Sequence, residues 1–507
     1  MIGEHNENIL SDMLPTYYAR QFPQNIFCRW LACGSSPQPL CNRELSFTLA
    51  DDVYLRYLSI SHQKDLQTLL QKKCPHKLDV GAVYNTKPSV GRHDAVVISR
   101  ELVFDIDLTD YDEIRTCCQE ARVCEKCWKF MVIACEIIDK ALKDDFGFQS
   151  ILWVFSGRRG IHCWVSDYEA RTLDSPGRGA IADYLCLIVG GENQSKKVHL
   201  GNENLHSSIR RALNIIDKYF EQLLQDQEFL ATDKLNSFLK LIPDDALKSQ
   251  VETTLKKMQE PSLNKWNTFI NIYENYCREN GNVIRKIKYL IEEIKIQYCY
   301  PRLDVNVTKG FNHLLKSPFS IHPKTGKVSV VFKSANAKNL KIDEIPTIYS
   351  LLDDSVAENN QHETNMKAAV KIFQELVFAL EKTEAMRKRS DASKTILVFV
   401  ILFMSTTTTE LALSPLALSH QRYLGLPTGR RPSGTPVSQP DPAPYVLHVR
   451  TIRASVPSSP PEYFAHQKAS PHPYFSGRAK NRLLSELVLV FFSIPFAQYL
   501  CFGAKGC

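Results

Sequence analysis

The 507-residue sequence has no clean membrane span, no leader signature, no internal repeat and little net charge. Its two apolar runs are poor candidates for crossing a bilayer, which takes about 20 consecutive apolar residues in a helix. Residues 396–404 are too few, and residues 483–502 are interrupted by Glu486 and Pro495. The opening MIGEHNENILSDML has neither a basic start nor an apolar h-region, so it does not read as a secretory leader. The 15 cysteines are odd in number and scattered, unlike the framework of a small disulfide-linked domain. A reducing cytosolic or nuclear compartment is expected, where clustered thiols signal metal or chemistry. The basic triplet Arg387-Lys388-Arg389 reads as a solvated helix end, with a nuclear address as the alternative.

Charge is scarce and unevenly placed. Lys and Arg total 62 against 55 Asp and Glu, a formal net of +7. Residues 391–507 hold 11 and 5 of these, leaving residues 1–390 with 51 and 50. The larger part is therefore near neutral and has no broad basic field for gripping nucleic acid. What is abundant is ordinary: 44% hydrophobic and 23% charged residues describe a globular protein with an ample core. The length suggests two to four domains.

Alternating apolar residues predict strands at 45–49, 79–84, 102–108, 151–155 and 162–165, with further strand-like sequence at 303–307 and 327–332. Residues 13–30 read as a helix interrupted at Pro23, and 133–143 as another. From 192 to 293 charged and apolar residues recur at helical spacing, which predicts a helical subdomain inserted between strand-rich parts at 1–191 and 294–390. A charged helix is expected at 366–390. Residues 405–507 contain 13 of the 26 prolines and no sustained period. Residues 391–507 are accordingly read as a disordered tail.

Three motifs carry chemistry. In ELVFDIDL (101–108), Phe104, Ile106 and Leu108 share one strand face, and Asp105 and Asp107 the other, about 7 Å apart. Two carboxylates in an apolar strand call for a cation, and oxygen ligands suit Mg2+ or Mn2+. Asp304, in RLDVNV, is the candidate third carboxylate of a two-metal site for phosphoryl transfer. A solvated edge strand is the alternative. Next, SGRRGIH (156–162) is a glycine-bracketed turn between strands. Its backbone N–H groups can approach an anion, Arg158 and Arg159 can grip phosphate oxygens, and His162 starts the following strand. The alternative is an ordinary basic hairpin. Lys316 and His322 flank a proline-fixed turn in HLLKSPFSIH (313–322), a weaker anion signal. Finally, Cys117, Cys118, Cys124 and Cys127 put four thiols in eleven residues, which fits a structural zinc knuckle, with reduced structural or redox cysteines as the alternative.

LVFDID, YDEIRTCC with CEKCW, LWVFSGRRGIHCWV, YCYPRLDVNVTKG and NHLLKSPFSIHPKTG occur in this order across roughly residues 10–390. Together they resemble the small, catalytic subunit of eukaryotic DNA primases. The resemblance implies an α+β primase fold with a mixed β-sheet catalytic core, a zinc knuckle at 117–127 and the inserted helical subdomain. It implies synthesis of short RNA primers from ribonucleoside triphosphates on single-stranded DNA, in the nucleus. The implied partners are a primase large subunit and the catalytic and accessory subunits of DNA polymerase alpha. It assigns the metal carboxylates to Asp105, Asp107 and Asp304, and a further active-site acid to Glu44. The incoming triphosphate falls to Ser156, Gly157, Arg158, Arg159, Gly160, Ile161, His162, His313, Leu314, Leu315, Lys316 and His322, with Arg56 and Asp79 near the nucleotide. Zinc falls to Cys117, Cys118, Cys124 and Cys127. A damage-tolerance primase-polymerase of the same superfamily and a non-catalytic zinc-bearing nucleic-acid adaptor are the rival readings. Residues 391–507 match nothing in this pattern and are read as an aberrant extension, such as translated intron, with a regulatory segment as the alternative.

Overall fold

The computed structural model describes residues 7–411 apart from 34–37, 91–94, 189–193, 202, 282–283 and 354–360. Nine strands follow in chain order: β1 (Arg43–Thr48), β2 (Tyr54–Leu58), β3 (Lys77–Tyr84), β4 (Val97–Ser99), β5 (Leu102–Asp107), β6 (Ile151–Phe155), β7 (Gly160–Val165), β8 (Leu315–Lys316) and β9 (Val331–Phe332). They form two sheets. One has the order β2-β1-β3-β4, with β8 also pairing with β3, and the other has the order β5-β7-β6-β9. Every pairing between these strands is antiparallel, whereas the resemblance implies a mixed sheet. The difference arises because β5 pairs with the β6–β7 hairpin through β7, and β8 and β9 return against their partners.

The two faces of the second sheet divide the labour. Asp105 is paired with His162 and Val103 with Trp164, so these four share a face. At one end of that face Trp164 packs edge-on against Trp30 at 5.2 Å, and Trp30 meets Phe373 at 5.8 Å. Its other end carries Asp105 and His162. On the opposite face lies the helix Glu125–Asp144, whose Trp128 meets Phe155 at 5.8 Å and whose Asp139 accepts a hydrogen bond from Trp153 Nε1 at 3.0 Å. The strands form because β-branched and aromatic residues dominate 102–106 and 151–165 and are buried on both sides.

The sheets are joined at a corner by a buried ion pair. Arg43 of β1 donates to Glu101, just before β5, at 2.6 and 2.9 Å. Burial works to raise the Glu101 carboxyl, but Arg43 outweighs it and holds the group down at about 2. The stability this contributes is present above Glu101's ordinary value of 4.5 and is lost as pH falls through about 2. Breaking the pair strands a buried guanidinium, so Glu101→Gln should cost about 3–5 kcal/mol. Urea denaturation at pH 7 measures this; a loss under about 1 kcal/mol would show that the corner does not depend on the pair.

The inserted segment is helical, as its periodicity predicts: Ser207–Gln227, Leu235–Leu239, Asp245–Leu255, Ser262–Glu279 and Leu290–Cys299. Phe220, Phe238, Trp266 and Phe269 form its aromatic centre, with ring centroids 4.9–6.4 Å apart. Lys129 to Asp226, 2.7 Å, ties it to the helix behind the second sheet.

Two expectations are corrected. Residues 303–307 are not a strand. Asp304 caps the short helix Val305–Lys309, its Oδ1 accepting from the N–H groups of Asn306 at 3.0 Å and Val307 at 3.4 Å. Aspartate's fitness as an N-cap outweighs the β-branched alternation of the three following residues. The last helix, Gln361–Leu411, also runs past residue 390, where the disordered tail was expected to begin. Extending an existing helix fixes one residue per added hydrogen bond, and no glycine or proline occurs between 391 and 411 to stop it. Phe373, Val377 and Leu380 bury its first half, and Glu384 pairs with Arg171 at 2.6 Å. The remaining tail, 412–507, including the apolar run 483–502, lies outside the described residues. Among the described residues no helix is long and apolar enough to cross a membrane.

Candidate active site

Strand parity places the acids. On β1, Leu45 and Phe47 enter the core, so Glu44 and Ser46 face the other way. Ser46 pairs with Asp79 of β3, and Asp79 in turn pairs with Lys316 of β8. Glu44 is fully buried, yet it accepts from Arg56 Nε at 2.9 Å and from the Tyr84 hydroxyl at 3.2 Å. Asp79 lies 3.2 Å from Lys77 Nζ and 3.4 Å from Ser46 Oγ, and its Oδ1 has no partner among the described residues. Burial raises the Asp79 carboxyl. Gly81 leaves room here, because a Cβ on it would lie 3.0 Å from Leu314 and 3.2 Å from Glu44.

The second sheet supplies the other acids. Asp105 Oδ1 is 3.5 Å from His162 Nε2. Burial, then the charges of Asp107, Asp304 and Asp110, push the Asp105 carboxyl up to about 7. Burial and the Lys316 cation hold His162 down at about 3, so it faces Asp105 as a neutral imidazole and not as an ion-pair partner. Asp107 accepts from Arg159 Nε at 2.7 and 2.9 Å and from the Thr109 N–H at 2.9 Å. Asp304 joins them because its N–H donates to the Asp105 carbonyl at 3.2 Å, while Arg302 N–H donates to the Tyr111 hydroxyl at 3.1 Å. The three aspartates are thus neighbours, but two have other engagements: Asp107 with Arg159, and Asp304 with its own helix.

Residues 156–160 form the expected turn between β6 and β7. Ser156 N–H donates to the Gly160 carbonyl at 2.9 Å, and Gly160 N–H to Ser156 Oγ at 2.9 Å. Gly157 has φ +92°. A Cβ there would lie 2.7 Å from His322 Cβ and 3.2 Å from Lys316 Nζ, so the two basic motifs, 160 residues apart in sequence, meet at this glycine. A Cβ on Gly160 would lie 2.4 Å from the Ile106 carbonyl, so the turn lies directly on the strand of Asp105 and Asp107. Lys316 Nζ donates to the Ser156 carbonyl, and Thr325 Oγ1 to the Gly157 carbonyl at 2.7 Å. Burial and Lys77 lower the Lys316 ammonium to about 7. Burial and the cations Lys316, Arg158 and Arg159 hold His322 down at about 3. Arg158 faces the same region. His313 reaches it differently: its carbonyl accepts from Arg100.

The arrangement is a facing pair. Acids from β1, β3 and β5 oppose a glycine turn, Lys316 and two arginines. Burial raises the Asp79, Asp105 and Asp110 carboxyls, and at Asp105 and Asp110 neighbouring aspartates add to the rise, a charge that a divalent cation on oxygen ligands would offset. Sequence reasoning missed Lys77, Tyr84, Asp110 and Thr325. Lys77 had a usable signal, since it shares Asp79's strand face two residues away. Tyr84 and Thr325 had none, because their partners Glu44 and Gly157 are 40 and 168 residues distant.

Away from this site the sulfurs of Cys117, Cys118, Cys124 and Cys127 lie within 4.8 Å of one another. Tetrahedral zinc with Zn–S bonds near 2.3 Å needs sulfurs about 3.8 Å apart, and Cys124 and Cys127 are at 3.9 Å. Cys124 is the N-cap residue of the helix Glu125–Asp144. Arg115 Nη1 lies 3.9 Å from the Cys127 sulfur, and Gln227 Nε2 lies 3.4 Å from that of Cys117. Hydrogen bonds from Cys127, then Gln227, pull the Cys117 thiol down to about 5 against its burial. The donor set fits a soft tetrahedral ion.

Residues 104–334 match a family model described as DNA primase small subunit. The chain is 45% identical over 382 residues to the DNA primase small subunit of Drosophila melanogaster, covering 72% of this chain and 86% of that protein. It is 33% identical over 392 residues to the DNA primase small subunit of Saccharomyces cerevisiae, covering 74% of this chain and 94% of that one. Among solved structures it is similar to the polymerase domain from Mycobacterium tuberculosis Ligase D in complex with DNA, with 11% identity and a TM-score of 0.31 over 71% of this chain and 91% of that chain.

Proposed function

The chain belongs to the DNA primase small-subunit family, and from that premise we propose how its residues make RNA primers. It is a nucleotidyltransferase of DNA replication. The observation that carries the site assignment is the apposition of the β5 carboxylates to the Gly157 turn and Lys316. Asp105, Asp107 and Asp304 would hold magnesium or manganese, which when bound neutralises triphosphate charge and acidifies the attacking 3′-hydroxyl. Arg158 and Arg159 supply guanidinium forks for phosphate oxygens, and the glycines let the turn's N–H groups approach them. Lys316 adds a point charge, and His162 and His322 serve as neutral hydrogen-bonding groups. Glu44, pinned by Arg56 and Tyr84, and Asp79 border the nucleotide from the first sheet. His313, Leu314 and Leu315 shape the wall leading to Lys316. None of these groups forms a covalent intermediate; catalysis is positioning and electrostatics.

The four clustered cysteines would hold a structural zinc with no open position for chemistry. The template is single-stranded DNA. The partners are the primase large subunit and the catalytic and accessory subunits of DNA polymerase alpha, and the compartment is the nucleus. The near-neutral charge of residues 1–390 supports a weak template grip by this subunit alone, with partners supplying the rest.

De novo synthesis on single-stranded DNA, with and without the large subunit, tests the function. Ribonucleotide primers made without a pre-existing 3′ end are expected. A preference for extending DNA ends with deoxynucleotides would favour the damage-tolerance enzyme instead.

Lys316 gives a pH signature. A triphosphate needs the charged form, and with the ammonium lowered to about 7 the neutral form takes over above that pH. The KM for ribonucleotides should therefore rise as pH climbs above 7, by up to about tenfold per unit. Lys316→Arg should flatten the profile, since arginine stays charged. A KM independent of pH between 6 and 9 in the parent enzyme would refute this role.

A further inference from the structure

Residues 310–314 join the helix begun by Asp304 to β8, which carries Lys316. Two buried arginines clamp this segment. Arg100, 1% exposed, stands between β4 and β5 and donates Nη1 to the Gly310 carbonyl and Nη2 to the His313 carbonyl. Its own N–H donates to the Arg171 carbonyl at 2.9 Å. Arg178, on the helix Ser175–Leu185, donates Nη1 to the Glu101 carbonyl at 3.0 Å and Nη2 to the Arg100 carbonyl, and its guanidinium stands 4.8 Å from the centre of the Phe311 ring. Lys309 pairs with Asp183 of the same helix at 2.8 Å.

The arrangement is costly for a merely structural brace. Arg100 carries a buried charge, and the adjacent carboxylate, Glu101, is already taken by two bonds from Arg43. A guanidinium that faces two carbonyls without its own carboxylate is poorly compensated. Its rigid fork does have one property an apolar side chain lacks, because it fixes two carbonyls three residues apart at once. Those carbonyls sit at the two ends of the link. Gly310 closes the helix that Asp304 opens, and His313 stands three residues before Lys316.

We propose that Arg100 is a positioning residue for nucleotide binding, locking residues 310–313 so that Asp304 and Lys316 address the same triphosphate. This rests on the roles given above to Asp304 and Lys316. Nothing in the sequence around Arg100 signals it, since its partners are 210 and 213 residues away.

Primer elongation by the complex of this chain with its large subunit, measured against ribonucleotide concentration, tests the clamp. Arg100→Ala should raise the KM about tenfold or more while kcat falls less than about threefold. Millimolar guanidinium, filling the space the side chain leaves, should bring the KM back toward the parent value, and methylammonium should not. Arg100→Lys keeps a single donor nitrogen in place of the fork and should fall between. An unchanged KM in Arg100→Ala, or equal relief by both cations, would overturn the proposal. If Arg100→Ala does not fold, a parental KM in Arg100→Lys would overturn it instead. If the parent complex makes no primers, the catalytic reading has failed and not the clamp. Affinity for a fluorescent ribonucleotide with Mn2+ then decides: unchanged binding by the Arg100 variants rejects the clamp, and weakened binding upholds it.

Discussion

Asp105→Ala and Asp107→Ala should each lower primer synthesis by about a thousandfold or more, the scale on which removing a group that organises transition-state charge acts. The two lesions should differ in stability, and that difference makes the test specific. Asp105 is held at an energetic cost. Its carboxyl is buried beside Asp107, Asp304 and Asp110 and is raised to about 7 from an ordinary value of 3.8. For an acid raised in the folded state, the unfolded chain releases its proton first. Stability from this group is therefore highest below about 4 and declines as pH rises through 7. Asp105→Asn removes that decline. In magnesium-free buffer at pH 8 the variant should melt higher than the parent, although it makes no primers. Asp107 has stabilising partners, Arg159 and Thr109, so Asp107→Asn should melt lower. Primer yield and thermal denaturation on both variants check this. Near-normal synthesis by either variant, or a lower melting temperature for Asp105→Asn at pH 8, would remove these residues from the roles assigned.

Cys127→Ser should abolish zinc binding and lower the melting temperature by about 5 °C. The size follows from position. The cluster begins ten residues after Asp107 and ends inside the first turn of the helix Glu125–Asp144, which covers one face of the second sheet. It therefore holds the exit of the strand that carries Asp105 and Asp107 to its main packing partner. Structural zinc contributes about 10–16 kcal/mol of apparent binding free energy in isolated fingers, and even a third of that is large for one domain. In a compact unit of roughly 400 residues each kcal/mol moves the melting point by about 1 °C. Elemental analysis of the parent protein should give one zinc per chain and of the variant none. A parent free of zinc, with all four thiols open to a thiol reagent, would defeat the assignment. Because the four thiols lie apart from the acids, the variant's loss of activity should track its unfolding temperature, unlike that of the aspartate variants.

Much of this site was readable in one dimension. Strands β5, β6 and β7, the carboxylate pair at Asp105 and Asp107, the glycine turn and the four thiols are local patterns, and local patterns are set by alternation, backbone freedom and spacing. Asp304 was found as a residue but misplaced as a strand member, because an N-cap and a strand share the same apolar neighbours until the cap's hydrogen bonds are seen. Glu44 came only from resemblance. By itself it reads as a surface strand acid, yet it is fully buried against Arg56 and Tyr84. The tail was misread between 391 and 411 because helix elongation depends on the helix before it.

The small net charge makes the same division. By its sequence alone the chain determined which residues could carry cations and phosphates, and that residues 1–390 balance almost to neutrality. Only the tertiary structure decided where that balance breaks down. Pairing Asp79 with Lys316 and Asp105 with His162, and setting Gly157 against His322 and Lys316, gathers buried acids and buried cations from distant parts of the chain into one place. The physical reason is that strand pairing and burial act between residues hundreds of positions apart, and the cost of a charge depends on what surrounds it, which no local spacing records.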